Sequence, residues 1–261
     1  MQWLIIRVRN QDKQMNRRFS ILMFIILFHL PSALCAQDRI LVAVAANFIN
    51  PFEEIAVLFE ANTRIQTEPT YSSTGKLFAQ IIEGAPYDVF LSADEKRPEE
   101  LFGKGLSGKP IVYATGRVVL WTARKDLCSA LDWKAMLVRS DVKKIAIANT
   151  ETAPYGTASM KALKDAGLWD TLQGKFVFPQ DIAQAFQYAS TGSVDAGFCA
   201  LSSALSQQGR DGCSIVVKEA PGVVQAACVL NRTGQKTASE KFAAFLLSPE
   251  ADKVKGKYGY K

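Results

Sequence analysis

The sequence predicts an α/β protein of two lobes joined by extended crossover strands. Three observations lead there. Apolar runs rich in β-branched residues, such as 39–46 (Arg-Ile-Leu-Val-Ala-Val-Ala-Ala), have the pattern of strands buried on both faces of a parallel sheet. These runs alternate with segments whose apolar residues recur at helical spacing, the signature of α/β units. The stretch from Ile111 to Arg124 is extended in character but too long for one strand, and Gly116 breaks it near the middle. It is read as a crossing from one lobe to the other.

The first strand runs into Asn47-Phe48-Ile49-Asn50-Pro51. Asn50 is placed to cap a helix with Pro51 at its first position, and Phe52, Ile55, Ala56 and Phe59 form the buried face. A second strand, 66–72, leads through Ser73-Thr74-Gly75 into a helix carrying Leu77, Phe78, Ile81 and Ile82. After a turn at Gly84-Ala85-Pro86 comes a third strand, Asp88 to Leu91, and Ser92-Ala93-Asp94 can cap a helix beginning near Glu95.

Beyond the crossing, Ile145 to Ala148 is a buried strand, and the polar junction Asn149 to Gly156 opens a helix that ends at Gly167, a C′ glycine. Phe176 to Phe178 is a short strand. Asp181 caps a helix faced by Ile182, Ala185, Phe186 and Ala189, and Ala196 to Leu201 is a further apolar strand. Strands at 214–219 and 223–230 return the chain to the first lobe. Thr237 caps a helix from Ala238 to Leu247, and Pro249 starts a last one. The lobes so defined are 37–117 with 224–261, and 118–223.

Residues 1–36 stand apart. Arg17 and Arg18, an apolar run from Phe19 to Leu30 and Pro31-Ser32-Ala33-Leu34-Cys35-Ala36 form a secretory signal peptide cleaved near Ala36. The run is shorter than the roughly 20 residues of a membrane span. Met15 is an alternative start, and lipid attachment at Cys35 is the alternative to plain cleavage. An exported, periplasmic protein is expected.

Setting the leader aside changes the chemistry open to the chain. It holds five of the 31 Lys and Arg and one of the 25 Asp and Glu, so the formal charge falls from +6 to +2. The basicity belongs to the leader and does not argue for a nucleic-acid partner. The single histidine, His29, goes with it, which removes Ser-His-Asp and Cys-His arrangements and His-ligated metals. Of the remaining cysteines, Cys199 reads as a small core residue, while Cys213 and Cys228 flank neighbouring strands and are the expected disulfide pair.

Ligands of parallel α/β sheets bind outside the carboxyl ends of the strands. Asn47, Ser73 with Thr74, and Ser92 fall at such ends, each just before a helix. A hydroxyl there either caps the helix or joins the exposed N–H groups and the helix dipole in binding an anion, and Ser92 is read as a cap only. Lys76 after Gly75 does not complete a phosphate loop, because Thr70 and Leu77 stand where glycine and a hydroxyl are required. Glu53, Glu54, Asp94, Glu99 and Glu100 read as solvated helix starts rather than catalytic carboxylates.

Five segments occur in order: Val42 to Phe48, Tyr71-Ser-Ser-Thr-Gly-Lys-Leu77, Gly84-Ala-Pro-Tyr-Asp-Val-Phe-Leu-Ser-Ala-Asp94, Ala153-Pro-Tyr-Gly156 and Asp181 to Ala185. Together they resemble the periplasmic molybdate-binding proteins of ABC transporters, over nearly all of the chain after the leader. The resemblance implies a type II periplasmic-binding fold whose two lobes close on one tetrahedral oxyanion, molybdate and also tungstate, for delivery to a membrane permease. It implies no catalysis, no cofactor, no bound metal cation and a monomer. It puts the anion contacts on Asn47, Ser73, Thr74, Tyr155 and Ile182, the last two through backbone N–H groups. It also puts Ala200 where some members have a tyrosine, and Ala46 where some have a threonine. Another oxyanion (sulfate, thiosulfate or phosphate), a transferase on the same scaffold, and a sensory domain without a transporter are the rival readings.

Overall fold

The computed structural model describes residues 38–130 and 132–261. The expected leader, with His29 and Cys35, lies outside them. Among the described residues, ten strands form two five-stranded sheets: β1 (Arg39–Ala45), β2 (Gln66–Ser72), β3 (Val89–Leu91), β4 (Ile111–Gly116) and β10 (Val223–Val229) in one, and β5 (Val118–Thr122), β6 (Ile145–Ala146), β7 (Phe176–Val177), β8 (Ala196–Ala200) and β9 (Cys213–Val216) in the other. The first has the order β2-β1-β3-β10-β4 and the second β7-β6-β8-β5-β9. In each, four strands run in one direction and one, β10 or β5, runs against them. Helices follow β1, β2 and β3 in one half and β6, β7 and β8 in the other, the α/β alternation expected.

Strand β1 shows why the first sheet is covered on both faces. Ile40, Val42 and Val44 join one apolar cluster with Phe52, Ile55, Phe59 and Phe242, whereas Ala43 joins a second with Leu77, Ile81, Phe90 and Cys228. Successive side chains on a strand point to opposite faces, so a continuous apolar run is what two covered faces require. The second half packs on Trp121, Trp133, Leu163, Phe186 and Phe198.

The long extended stretch is two strands in different sheets. β4 ends at Gly116, β5 begins at Val118, and Arg117 alone joins them. The expected return strands divide differently from expectation. Cys213–Val216 is the edge strand of the second sheet, and only Val223–Val229 enters the first. That division overturns the expected disulfide. Cys213 bonds Cys128, with Cα atoms 5.7 Å apart, while Cys228 is a free, buried core residue of the first sheet. The two cysteines close in sequence belong to separate sheets, so proximity along the chain did not become proximity in space.

Local boundaries also shift. The helix expected to be capped by Asn50 instead starts at Ile49, after a 3₁₀ turn at Ala46–Phe48, with Pro51 still inside the first turn, where a missing N–H costs nothing. Thr237 lies within the helix Lys236–Phe245 rather than before it. Asp181 does cap its helix, accepting the Gln184 N–H at 3.0 Å, and Gly167 has φ +67° after the helix Pro154–Asp165. No helix among the described residues is long and apolar enough to cross a membrane.

Candidate functional site

Asn47, Ser73, Thr74, Tyr155 and Ile182 are up to 135 positions apart in sequence, yet all five line one small cavity between the two halves. About 10 Å³ of it is open to the centre of a water-sized sphere, space for one small group. Ala45, Ala46, Ala93, Ala153, Pro154 and Asp181 complete the lining, and no lysine or arginine is among them. Asn47, Ser73, Thr74, Tyr155 and Ile182 are each at most 3% exposed, so a charge here would be cut off from bulk water.

Each residue reaches the cavity because a strand ends and a helix starts there. Ser73 immediately precedes the helix Thr74–Ile82, Tyr155 is in the first turn of Pro154–Asp165, Ile182 is the first residue of Ile182–Ser190, and Asn47 sits in the 3₁₀ turn after β1. The first N–H groups of a helix have no acceptor within it, and the dipole adds positive potential at the same end. Helix starts from both halves therefore surround the cavity.

The hydroxyls differ. Thr74 Oγ1 accepts the Ala93 N–H at 3.0 Å, which leaves its proton for another acceptor. Ser73 Oγ is the one buried side-chain polar atom without a hydrogen-bond partner among the described residues, and Ser73 makes no side-chain cap to its own helix. Native folds pair nearly all such groups, so a buried orphan hydroxyl on a cavity wall points to a ligand atom as its partner. The capping reading of Ser73 does not hold.

Asn47 and Tyr155 turn their side chains away from the cavity, into a buried polar cluster. Both Nδ2 protons of Asn47 are taken, by Gln225 Oε1 at 2.8 Å and Tyr260 Oη at 3.0 Å. Tyr155 Oη accepts from Gln225 Nε2 at 3.2 Å. Burial raises the pKa of Tyr113 and Tyr155 well above the ordinary phenol value, and burial raises Tyr260 too, although its hydrogen bonds with Ser202 and Asn47 oppose it. All three phenols are neutral donors and acceptors near neutrality. Gln225, Tyr260, Tyr113 and Ser202 were not foreseen. Only Gln225 left a trace in the sequence, as a lone polar residue in the apolar run Val223–Val229.

The rim is sealed by hydrogen bonds between the halves. The Gly75 N–H donates to Thr152 O at 2.8 Å, Gln180 Nε2 to Ser72 Oγ at 3.0 Å, and Arg97 Nη2 to Glu151 O at 3.1 Å. A Cβ on Gly75 would stand 2.9 Å from Thr152 Cα, so only glycine allows this approach. Ala46 lines the cavity with no hydroxyl to offer, and Ala200 is not part of the wall. A larger groove of about 750 Å³, including Ala46, Asn50, Phe186 and Gln208, opens to solvent next to the cavity. An ion there would keep much of its hydration, which makes the groove a poorer candidate. Among the described residues no group of His, Cys, Asp or Glu could hold a metal cation.

The sequence model of the family described as bacterial extracellular solute-binding protein matches residues 40–261. The molybdate-binding protein ModA of Rhodobacter capsulatus is 34% identical over 227 residues, covering 86% of this chain and 89% of that protein. The molybdate-binding protein ModA of Azotobacter vinelandii is 35% identical over 233 residues, covering 87% and 92%. Among solved structures, the Azotobacter vinelandii periplasmic molybdate-binding protein superposes with a TM-score of 0.80 at 32% identity, over 85% of this chain and 98% of that one. The sulfate-binding protein SubI of Mycobacterium tuberculosis, at 15% identity and a TM-score of 0.69, shares the fold.

Proposed function

The chain belongs to the bacterial extracellular solute-binding proteins, and from that premise we propose that it captures molybdate, and with it tungstate, between two closing lobes. The lobes are residues 37–117 with 224–261, and residues 118–223. Asn47, Ser73, Thr74, Tyr155 and Ile182 contact the anion: Ser73 and Thr74 through hydroxyl and backbone donors, the other three through backbone N–H groups. The protein is exported after cleavage of a leader near Ala36, acts as a monomer without cofactor or catalysis, and hands the anion to an ABC transporter permease.

One observation carries this reading: a small buried cavity ringed by helix N-termini from both halves, with an unpartnered serine hydroxyl in its wall and no basic side chain. A dianion leaving water must have its hydration replaced, and charge-assisted hydrogen bonds from neutral donors do this without burying a second charge. Donors on both lobes make closure depend on the ligand, since only the closed form satisfies the anion from both sides. The hydroxyls of Ser73 and Thr74 offer donors to a fully ionised tetrahedral oxyanion, and the one carboxylate of the lining, Asp181, is engaged by the Gln184 N–H as a helix cap.

Isothermal titration calorimetry on refolded, ligand-free protein tests it. Molybdate and tungstate are expected to bind with one site each, and a hundredfold excess of sulfate is expected to leave that binding largely intact. Absence of heat with both metal oxyanions would sink the proposal. Tight sulfate binding with no molybdate signal would keep the fold and change the ligand.

A further inference from the structure

Building on that reading of the cavity, we infer that Gln225, Tyr260 and Ser202 form a closure latch beneath it, positioning the backbone of Asn47 and holding the lobes together without touching the anion. The cluster draws on both halves. Asn47, Tyr113, Gln225 and Tyr260 belong to the half built on the first sheet, and Tyr155 and Ser202 to the other. Its members are all nearly or fully buried, Gln225 being 0% exposed, and none is charged.

The protons can be followed one by one. Asn47 gives both Nδ2 protons, to Gln225 Oε1 and Tyr260 Oη, and an amide has only two. Gln225 Oε1 also accepts from Tyr113 Oη at 3.0 Å, while Gln225 Nε2 crosses to Tyr155 Oη. Tyr260 Oη donates to Asn47 O at 2.8 Å or to Ser202 Oγ at 3.1 Å, and Ser202 Oγ donates to Asn47 O at 2.8 Å. The carbonyl of Asn47 is thus gripped from both halves, and the peptide that carries it belongs to the turn Ala46–Phe48, of which Ala46 and Asn47 line the cavity.

Closure assembles this arrangement at the crossing. The Tyr155 hydroxyl lies over Gly116, where a Cβ would overlap it, next to the single residue linking β4 and β5. Tyr260 is held there because Lys261 and Thr115 exchange two backbone hydrogen bonds, at 2.7 and 3.1 Å, which dock the C-terminal residues on β4. Asn47 and Tyr155 therefore meet the ligand with one side and the latch with the other. A latch formed only on closure slows release more than capture, because encounter with the anion takes place in the open form.

The test is stopped-flow tryptophan fluorescence with molybdate on wild type, Tyr260→Phe, Ser202→Ala and the double variant. Tyr260→Phe keeps the ring and its edge contact with Phe48, at 5.3 Å between centroids, and removes one hydroxyl. Each single variant is expected to release molybdate about 5- to 10-fold faster, the effect of about one hydrogen bond, with capture within about twofold of wild type. Because both hydroxyls serve the same carbonyl, the double variant should fall short of the product of the single effects. If Tyr260→Phe fails to fold, the Ser202→Ala release rate alone decides. Unchanged release in folded variants, with wild type binding normally, overturns the latch and leaves the oxyanion reading standing. Equal slowing of capture and release does the same. A wild type that binds neither molybdate nor tungstate overturns that reading, and the latch falls with it.

Discussion

At the scale of single residues, Ser73 is where stability and binding pull in opposite directions. Its hydroxyl is buried without a partner, and an unsatisfied buried polar group costs roughly 1–3 kcal/mol. Ser73→Ala removes that cost, so the ligand-free variant should unfold at the same or a slightly higher temperature than wild type. The same change deletes a charge-assisted donor, worth about 1.5–3 kcal/mol, and should weaken molybdate by roughly 10- to 150-fold. Thermal melts without ligand and calorimetry with it read the two signs separately. A loss of stability with unaltered affinity would mean that the hydroxyl serves the fold. Titration gives a second residue-scale expectation. Burial raises Tyr113, Tyr155 and Tyr260, and the Asp94 carboxylate adds to the effect on Tyr113. A group raised on folding contributes stability in full below its unfolded value, about 10 for a phenol, and loses that contribution as pH rises through the folded value. Molybdate affinity should therefore be level between about pH 7 and 9 and decline only above about pH 10. A decline centred near pH 7 would implicate a different group.

Among the elements, the second sheet is the one tied covalently. Cys128, just after the short turn Lys125–Leu127, is bonded to Cys213 at the start of β9, closing a loop of 85 residues. β9 pairs only with β5, so it is an edge strand with few other restraints. Fixing it by a long-range bridge removes chain entropy from the unfolded state, on the order of 4 kcal/mol for a loop of this length. The Cys128→Ser, Cys213→Ser double variant should lose about 2–4 kcal/mol, readable as a fall of roughly 5–15 °C in melting temperature. Anion affinity should be nearly unaffected, because neither cysteine lines the cavity. Equal melting temperatures for oxidised protein and double variant would show that the bridge adds nothing. Helix starts matter for a different reason: Asp181 accepts the Gln184 N–H as a cap and so holds the first turn that carries Ile182, whose N–H is proposed to meet the anion.

For the molecule as a whole, the two halves carry equivalent sheets with one antiparallel strand inserted next to the parallel set in each, β10 in the first and β5 in the second. The chain crosses between them at Arg117 and again between β9 and β10. Two thin crossings are the connection at which the proposed rotation of one half on the other would take place. Neutral side chains beneath the cavity and hydrogen bonds at its rim join the two halves, and helix starts line the space between. On the proposed function, closure brings together helix starts that neither half could supply alone.

Much of this was already legible in the sequence. Burial of a strand on both faces and of a helix along one stripe is written locally, so β1 and the helices carrying Phe52, Leu77 and Ile182 follow from spacing. The positions of Asn47, Ser73, Thr74, Tyr155 and Ile182 at strand-to-helix junctions were legible for the same reason, and family resemblance gathered them around one point. What lay beyond sequence was anything set by strand order. Inserting β10 between β3 and β4 carries Gln225 beneath Asn47, and docking the last residues on β4 carries Tyr260 there from 213 positions away. Pairing of β5 with β9 brings Cys128 to Cys213 and strands Cys228 in another core. The sequence by itself determined the alternation of elements and the donors at their junctions, because these depend on neighbours a few residues away. Only the tertiary structure decided which side of Asn47 and Tyr155 meets the cavity, because a side chain's partners depend on which strands lie side by side.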